Sequence, residues 1–119
     1  MDSEQLKDRT KKLAVKIIRL TDSIPRSDTT TILNKQIIRS ATSVAANYRS
    51  ACRARSKADF VNKLGIVEEE ADETLFWLDM LIDCGKIQKD KISSLYTEAS
   101  ELVAIFSASH KTAKLNHRR

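Results

Sequence analysis

The stretch SKADFVNKLGIVEEEADETLFWLDMLIDCG, Ser56 to Gly85, places Phe60, Leu64, Val67, Ala71, Thr74, Leu78 and Leu81 at alternating spacings of four and three. That spacing keeps them on one stripe of an α-helix, the seam of a helix packed in a bundle. Ser56 to Asp59 has the form of a capping box, with Asp where Glu or Gln is usual. Gly85 stands where a C-cap glycine belongs. A strand would alternate with period two, and no such alternation is sustained here.

The same seam recurs on both sides of this stretch. Leu6, Thr10, Leu13, Ile17, Leu20 and Ile24 form one stripe, which stops at Pro25 and a polar turn. Ile37, Ala41, Val44, Tyr48 and Ala51 form a second, ending near Arg55. Ile92, Leu95, Ala99, Leu102, Phe106 and Ser109 form the last. Asp28 and Asp90 stand where caps of the second and fourth helices would be. The expected fold is all-α, an antiparallel up-down-up-down four-helix bundle in one domain, 1–119. Its helices are expected at about 3–24, 29–54, 57–84 and 91–115, because connections of a few residues make consecutive helices antiparallel neighbours.

Composition narrows the class. The chain has 119 residues, one Pro and two Gly, with 31% charged and 5% aromatic residues, a balance of helices with charged outer faces. No N-terminal apolar run and no membrane-length apolar stretch occurs, so no membrane partner is expected. Cys52 and Cys84 lie on separate segments without metal-ligand spacing and read as reduced packing residues.

Catalytic and metal signatures do not emerge. A di-metal site in a bundle needs Glu-x-x-His pairs projecting inward. The histidines are His110 and His117, and neither follows a Glu by three residues. Glu68, Glu69, Glu70, Asp72 and Glu73 are adjacent and so diverge around their helix. No histidine base accompanies a cysteine, and no glycine-rich phosphate loop or serine elbow exists. Neither enzyme, metal nor cofactor is expected. Gly65 falls inside the third helix at a cost of about 1 kcal/mol against Ala, which implies close approach of a neighbouring helix.

Charge is distributed unevenly. Residues 1–28 carry +2, residues 29–58 carry +6 and contain no acid, residues 59–84 carry −7, and residues 85–119 carry +4, for a total of +5. Lys35, Arg39, Arg49 and Arg53 share a face roughly 80° wide at about 100° per residue, with Thr42 and Ala46 between them. Arg55, Lys57 and Lys63 extend it around the turn. Folding helix 3 back on helix 2 sets residues summing to about 112 level with each other. Arg39 then meets Glu73 and Asp72, Arg49 meets Lys63, and Arg53 meets Asp59. The turn end thus holds more cations than local acids neutralise, and the tail HKTAKLNHRR adds four more.

Two uses of that end stay open. Arg49, Arg53, Arg55, Lys57 and Lys63 suit the phosphates of RNA or DNA. Alternatively the basic face of one subunit meets the acidic helix of the next in a heterologous, ring-closing interface. Tyr48 lies on the seam, Asn47 at its edge, and Trp77 and Phe76 beside the third seam, where one of them can face another subunit.

Ile37 to Asp83, with Arg39-Ser40, Ala45-Ala46-Asn47-Tyr48, Arg53, Ser56-Lys57 and Glu70-Ala71-Asp72-Glu73, resembles the bacterial four-helix-bundle family of 23S rRNA intervening sequences, also labelled S23 ribosomal protein. The resemblance implies a non-enzymatic cytoplasmic homopentamer. The expected interface then includes Arg39, Asn47, Tyr48, Glu70, Glu73 and Trp77. A related protein, the accessory variability protein of diversity-generating retroelements, binds nucleic acid and a reverse transcriptase, partners that the resemblance extends here by analogy.

Overall fold

The structure, a computed structural model, describes residues 1–118. Arg119, the last cation of the basic tail, lies outside the described residues. The elements are α1 (Ser3–Ser23), α2 (Asp28–Ala51), α3 (Lys57–Asp83), a short 3-10 turn (Lys89–Ile92) and α4 (Ser93–Arg118). They form an elongated up-down-up-down bundle of 50 × 23 × 22 Å. The α2–α3 interface is the most extensive, followed by α3–α4 and α1–α2, while α1–α4 is the least extensive of the four interfaces between neighbouring helices.

Local chemistry sets each boundary. Asp2 caps α1 with a full capping box, its carboxylate accepting from the Gln5 N–H while the Gln5 side chain accepts from Asp2. The expected Asp28 cap of α2 is replaced by Ser27. Its hydroxyl accepts from the Thr30 N–H at 3.1 Å, and the Thr30 hydroxyl accepts in return from the Ser27 N–H at 2.8 Å. This reciprocal pair makes Asp28 the first helical residue instead. At α3, Ser56 caps as expected, accepting from the Asp59 N–H at 3.1 Å. The Asp59 carboxylate, however, accepts from the Arg55 N–H at 3.2 Å rather than from Ser56, so the box closes one residue early.

The ends of two helices differ from expectation. α2 stops at Ala51, because Arg53 and Ala54 donate to Ser50 and Ala51 three residues back and tighten the chain into a turn. α4 starts at Ser93 and runs on to Arg118. Asp90 does not cap it but sits inside the preceding 3-10 turn. α3 closes as its glycine promised. Gly85 takes φ 73°, its N–H reaches Ile82 O, and the Lys86 N–H reaches Leu81 O, both at 2.9 Å, a Schellman motif.

The seams meet in one core, with Ile17, Ile37, Val44, Val67, Leu78, Leu81, Leu102 and Phe106 fully buried. Small residues allow the close α2–α3 approach: Ala41 and Ala71 are buried, and between the helices the Thr74 hydroxyl donates to Ser40 Oγ at 2.9 Å. Four seam positions depart from the pattern. Leu20, Ile92 and Ser109 are half-buried, and Phe60 is 37% exposed. Phe60 keeps the phase of its helix, but α2 ends at Ala51, so Phe60 meets only its last turn, at Tyr48 and Ala51.

At the α1–α4 seam, where backbones stay apart, Arg9 bridges the gap. Its Nε donates to Glu98 at 2.9 Å, and its Nη2 reaches both Glu98 and Glu101. This charge-assisted fork holds the Glu98 carboxyl below the usual carboxylate range, chiefly through the Arg9 hydrogen bond. Gly65 has the steric reason expected of it, supplied by one side chain of α4. A Cβ there would stand 3.1 Å from the imidazole of His110.

Candidate functional site

The antiparallel topology gathers one end of the bundle from several pieces: the first turn of α1, the α2–α3 turn, and the last turns of α4. Arg49, Arg53, Arg55 and Lys57 are exposed there. Among the described residues, none of their side-chain nitrogens has a carboxylate oxygen within the 4.0 Å of an ion pair. Lys63 differs from these four. Its Nζ lies 3.3 Å from Asp59, one helical turn back, and both side chains are partly shielded. The expected Arg53–Asp59 pairing therefore gives way to a pair within α3. Asp59 is held below its ordinary range, first by the Arg55 N–H and then by Lys63.

Topology adds residues that charge counting along the chain left apart. α4 runs down to the same end, so His117 faces the first turns of α3 across a cleft with Ala58 and Asn62. Lys111, Lys114 and Arg118 accompany it on the last turns of that helix. On the opposite side, Ser3 of α1 lines a cleft with Arg55, Ser56 and Lys57, and brings Asp2 and Glu4 with it. The end is thus cationic on its α2, α3 and α4 sides, while at its α1 corner Glu4 is paired with Lys7. The up-down-up-down order predicts this grouping once it is applied to the tail.

Three acids of α3 are engaged farther along and in different directions, while Glu69 is exposed. Glu68 points to α4, where His110 Nδ1 lies 2.7 Å from its carboxylate, so that nitrogen carries the donated hydrogen. Glu70 and Glu73 point to α2 and share Arg39, at 3.1 and 3.3 Å. Arg39 therefore pairs with Glu73 as expected, but its second partner is Glu70 rather than Asp72, which is exposed. Burial pushes the Glu70 carboxyl up, while Glu73 is drawn down by its hydrogen bond with Glu70 and by Arg39. Among the described residues, no three His, Cys, Asp or Glu side chains group closely enough to hold a metal ion.

The Glu68–His110 contact has a pH signature. The His110 hydrogen bond, helped by Ser107 and Lys114, holds the Glu68 carboxyl below its ordinary value of 4.5. A depressed carboxyl adds stability above that value and loses it as pH falls through the folded-state pKa. Glu68→Gln is therefore expected to remove about 0.2–1 kcal/mol of the acid-induced loss seen between pH 7 and pH 3, the scale of a partly exposed pair. Urea midpoints at the two pH values, compared with the unsubstituted protein, measure it.

The residues expected at a subunit interface are used in different ways. Tyr48 is buried in its own bundle, its ring 5.3 Å from that of Phe106, and burial raises its hydroxyl pKa. The Asn47 amide donates to Ser43 O and Oγ at 3.0 and 2.8 Å. Arg39, Glu70 and Glu73 are partners within one chain. Trp77 is different. Its indole nitrogen is buried without a hydrogen-bond partner among the described residues, and it packs edge-on to Phe76, which is 52% exposed.

Comparison with known proteins places these features in a family setting. A family model described as 23S rRNA-intervening sequence protein matches residues 4–108, which takes in all of α1 except its first residue, all of α2 and α3, and most of α4. The crystal structure of a protein of unknown function from the S23 ribosomal protein family of Bacteroides thetaiotaomicron VPI-5482 superposes with a TM-score of 0.84 at 35% identity, covering 93% of this chain and 99% of that one. No curated protein sequence matches. No helix among the described residues is long and apolar enough to cross a membrane.

Proposed function

The chain belongs to the 23S rRNA-intervening sequence protein family, and from that premise we propose that it is a non-enzymatic, self-associating bundle whose α2–α3 end binds the phosphate backbone of nucleic acid. The observation that carries this reading is the set of four exposed cations, Arg49, Arg53, Arg55 and Lys57, with no carboxylate partner among the described residues. Surface cations in a cluster neutralise phosphates and release their counterions. Three of the acids of α3 are engaged elsewhere, Glu68 by His110 and Glu70 and Glu73 by Arg39. The non-enzymatic part draws on the family and the solved relative, neither of which carries an enzymatic description.

Self-association draws on α3. An exposed phenylalanine packed edge-on to Trp77 is an apolar surface that a second copy can cover. A ring of five comes from the family resemblance. Light scattering of the intact protein should then give a multiple of 13.4 kDa. Phe76→Glu should reduce the mass to that of one chain. Reversing Arg49 and Arg53 to Glu should leave the assembly intact while weakening nucleic-acid binding. If that reversal dissolves the oligomer instead, the cations serve assembly and the binding reading fails.

A further inference from the structure

Beside the basic end, Phe60 lines a cleft of about 500 Å³. Tyr48 and Cys52 give the cleft an apolar side, while Ser56, Arg55 and Lys57 lie on its cationic side. Phe60 is 37% exposed here, although its spacing belongs to a core seam. A partly exposed aromatic ring among uncompensated cations is the arrangement of a stacking platform, in which cations follow the phosphates and the ring takes the base.

We infer that the cleft of Phe60, flanked by Arg55 and Lys57, receives an unpaired base, so that the basic end prefers single-stranded nucleic acid over duplex. The inference rests on the binding reading above and goes beyond it in naming the form of nucleic acid. A duplex keeps its bases stacked inward and offers the cleft nothing but backbone. The far wall, lined by Ser3, adds no cationic side chain. The backbone therefore runs along the Arg55–Lys57 side, and the base turns into the cleft.

The test uses the intact protein and fluorescence anisotropy with three probes: labelled oligouridylate, the same strand annealed to oligoadenylate, and the same strand carrying abasic sites. Single strand should bind more tightly than duplex or abasic strand. Phe60→Ala should weaken single-strand binding by between about fivefold and a hundredfold, the range for loss of one stacked base, and leave duplex binding unchanged. Phe60→Tyr should restore it. Abasic strand bound as well as the intact strand overturns the inference without any variant. So does a Phe60→Ala effect equal on single strand and duplex. If all three probes bind alike and only removal of the cations abolishes binding, the inference fails while phosphate binding by the basic end stands. Absence of binding by every probe at low salt overturns both.

Discussion

Replacing Arg49, Arg53, Arg55 and Lys57 together by Gln is expected to weaken RNA binding by about a hundredfold to a thousandfold at low salt. Two unit charges 4 Å apart in water attract by about 1 kcal/mol. Removing four such attractions, at tenfold per 1.4 kcal/mol, gives about that range. The salt dependence should change as well. Each phosphate contact contributes about −0.9 to the slope of log K against log salt for duplex and about −0.7 for single strands. The variant should therefore have a slope shallower by about 3. All four side chains are exposed and outside any ion pair among the described residues, so circular dichroism and the melting temperature should stay close to those of the unsubstituted protein. Unchanged affinity in a folded variant would show that the cations do not contact the nucleic acid.

Phe106→Ala is expected to cost about 3–5 kcal/mol of stability, the range for a large aromatic ring removed from a packed core. Phe106 has no exposed surface and supports Tyr48 from across the bundle. Deleting its ring opens a cavity against Tyr48 on α2. A single domain carries about 5–15 kcal/mol in all, so the loss is a large share of the total. At about 4 °C per kcal/mol for a domain of this length, the melting temperature should fall by about 12–20 °C. Ile32→Ala provides the contrast. Ile32 is 63% exposed, and its replacement should change stability by no more than about 0.5 kcal/mol. Comparable losses in the two variants would contradict the assignment of Phe106 to the core.

The seams of the four helices are legible because burial leaves a regular trace in sequence, and Leu13, Val44, Leu78 and Leu102 fall inward as their spacing requires. Gly85 is legible for a similar reason, since few residues other than glycine take its positive φ. Phe60 departs from its seam because periodicity reports the phase of a helix but not the length of its neighbour. Its exposure follows from the end of α2 at Ala51, nine residues away in sequence.

Caps are harder to read where two competent residues stand side by side. Ser27 and Asp28 can each cap, and the hydroxyl of Thr30 decides for Ser27 by completing the reciprocal bond. Asp90 resembles a cap because a 3-10 turn and a helix start share the same polar signals. At the basic end, the excess of cations is legible from composition alone. The Asp59–Lys63 pair is not, because an i,i+4 partner on the same helix outcompetes one across a turn. Lys111, Lys114 and Arg118 join the basic end once the expected topology is followed to the end of the fourth helix.

The location of nucleic-acid contact is open to direct measurement. Labelled RNA bound to the intact protein at low salt can be crosslinked by ultraviolet light and the attached peptides identified by mass spectrometry. The expected result is crosslinks concentrated in residues 48–60 and in the last turns of α4. Crosslinks concentrated on the α1–α2 turn or along the acidic face of α3, or none at all at low salt, would contradict the assignment of the basic end as the binding surface.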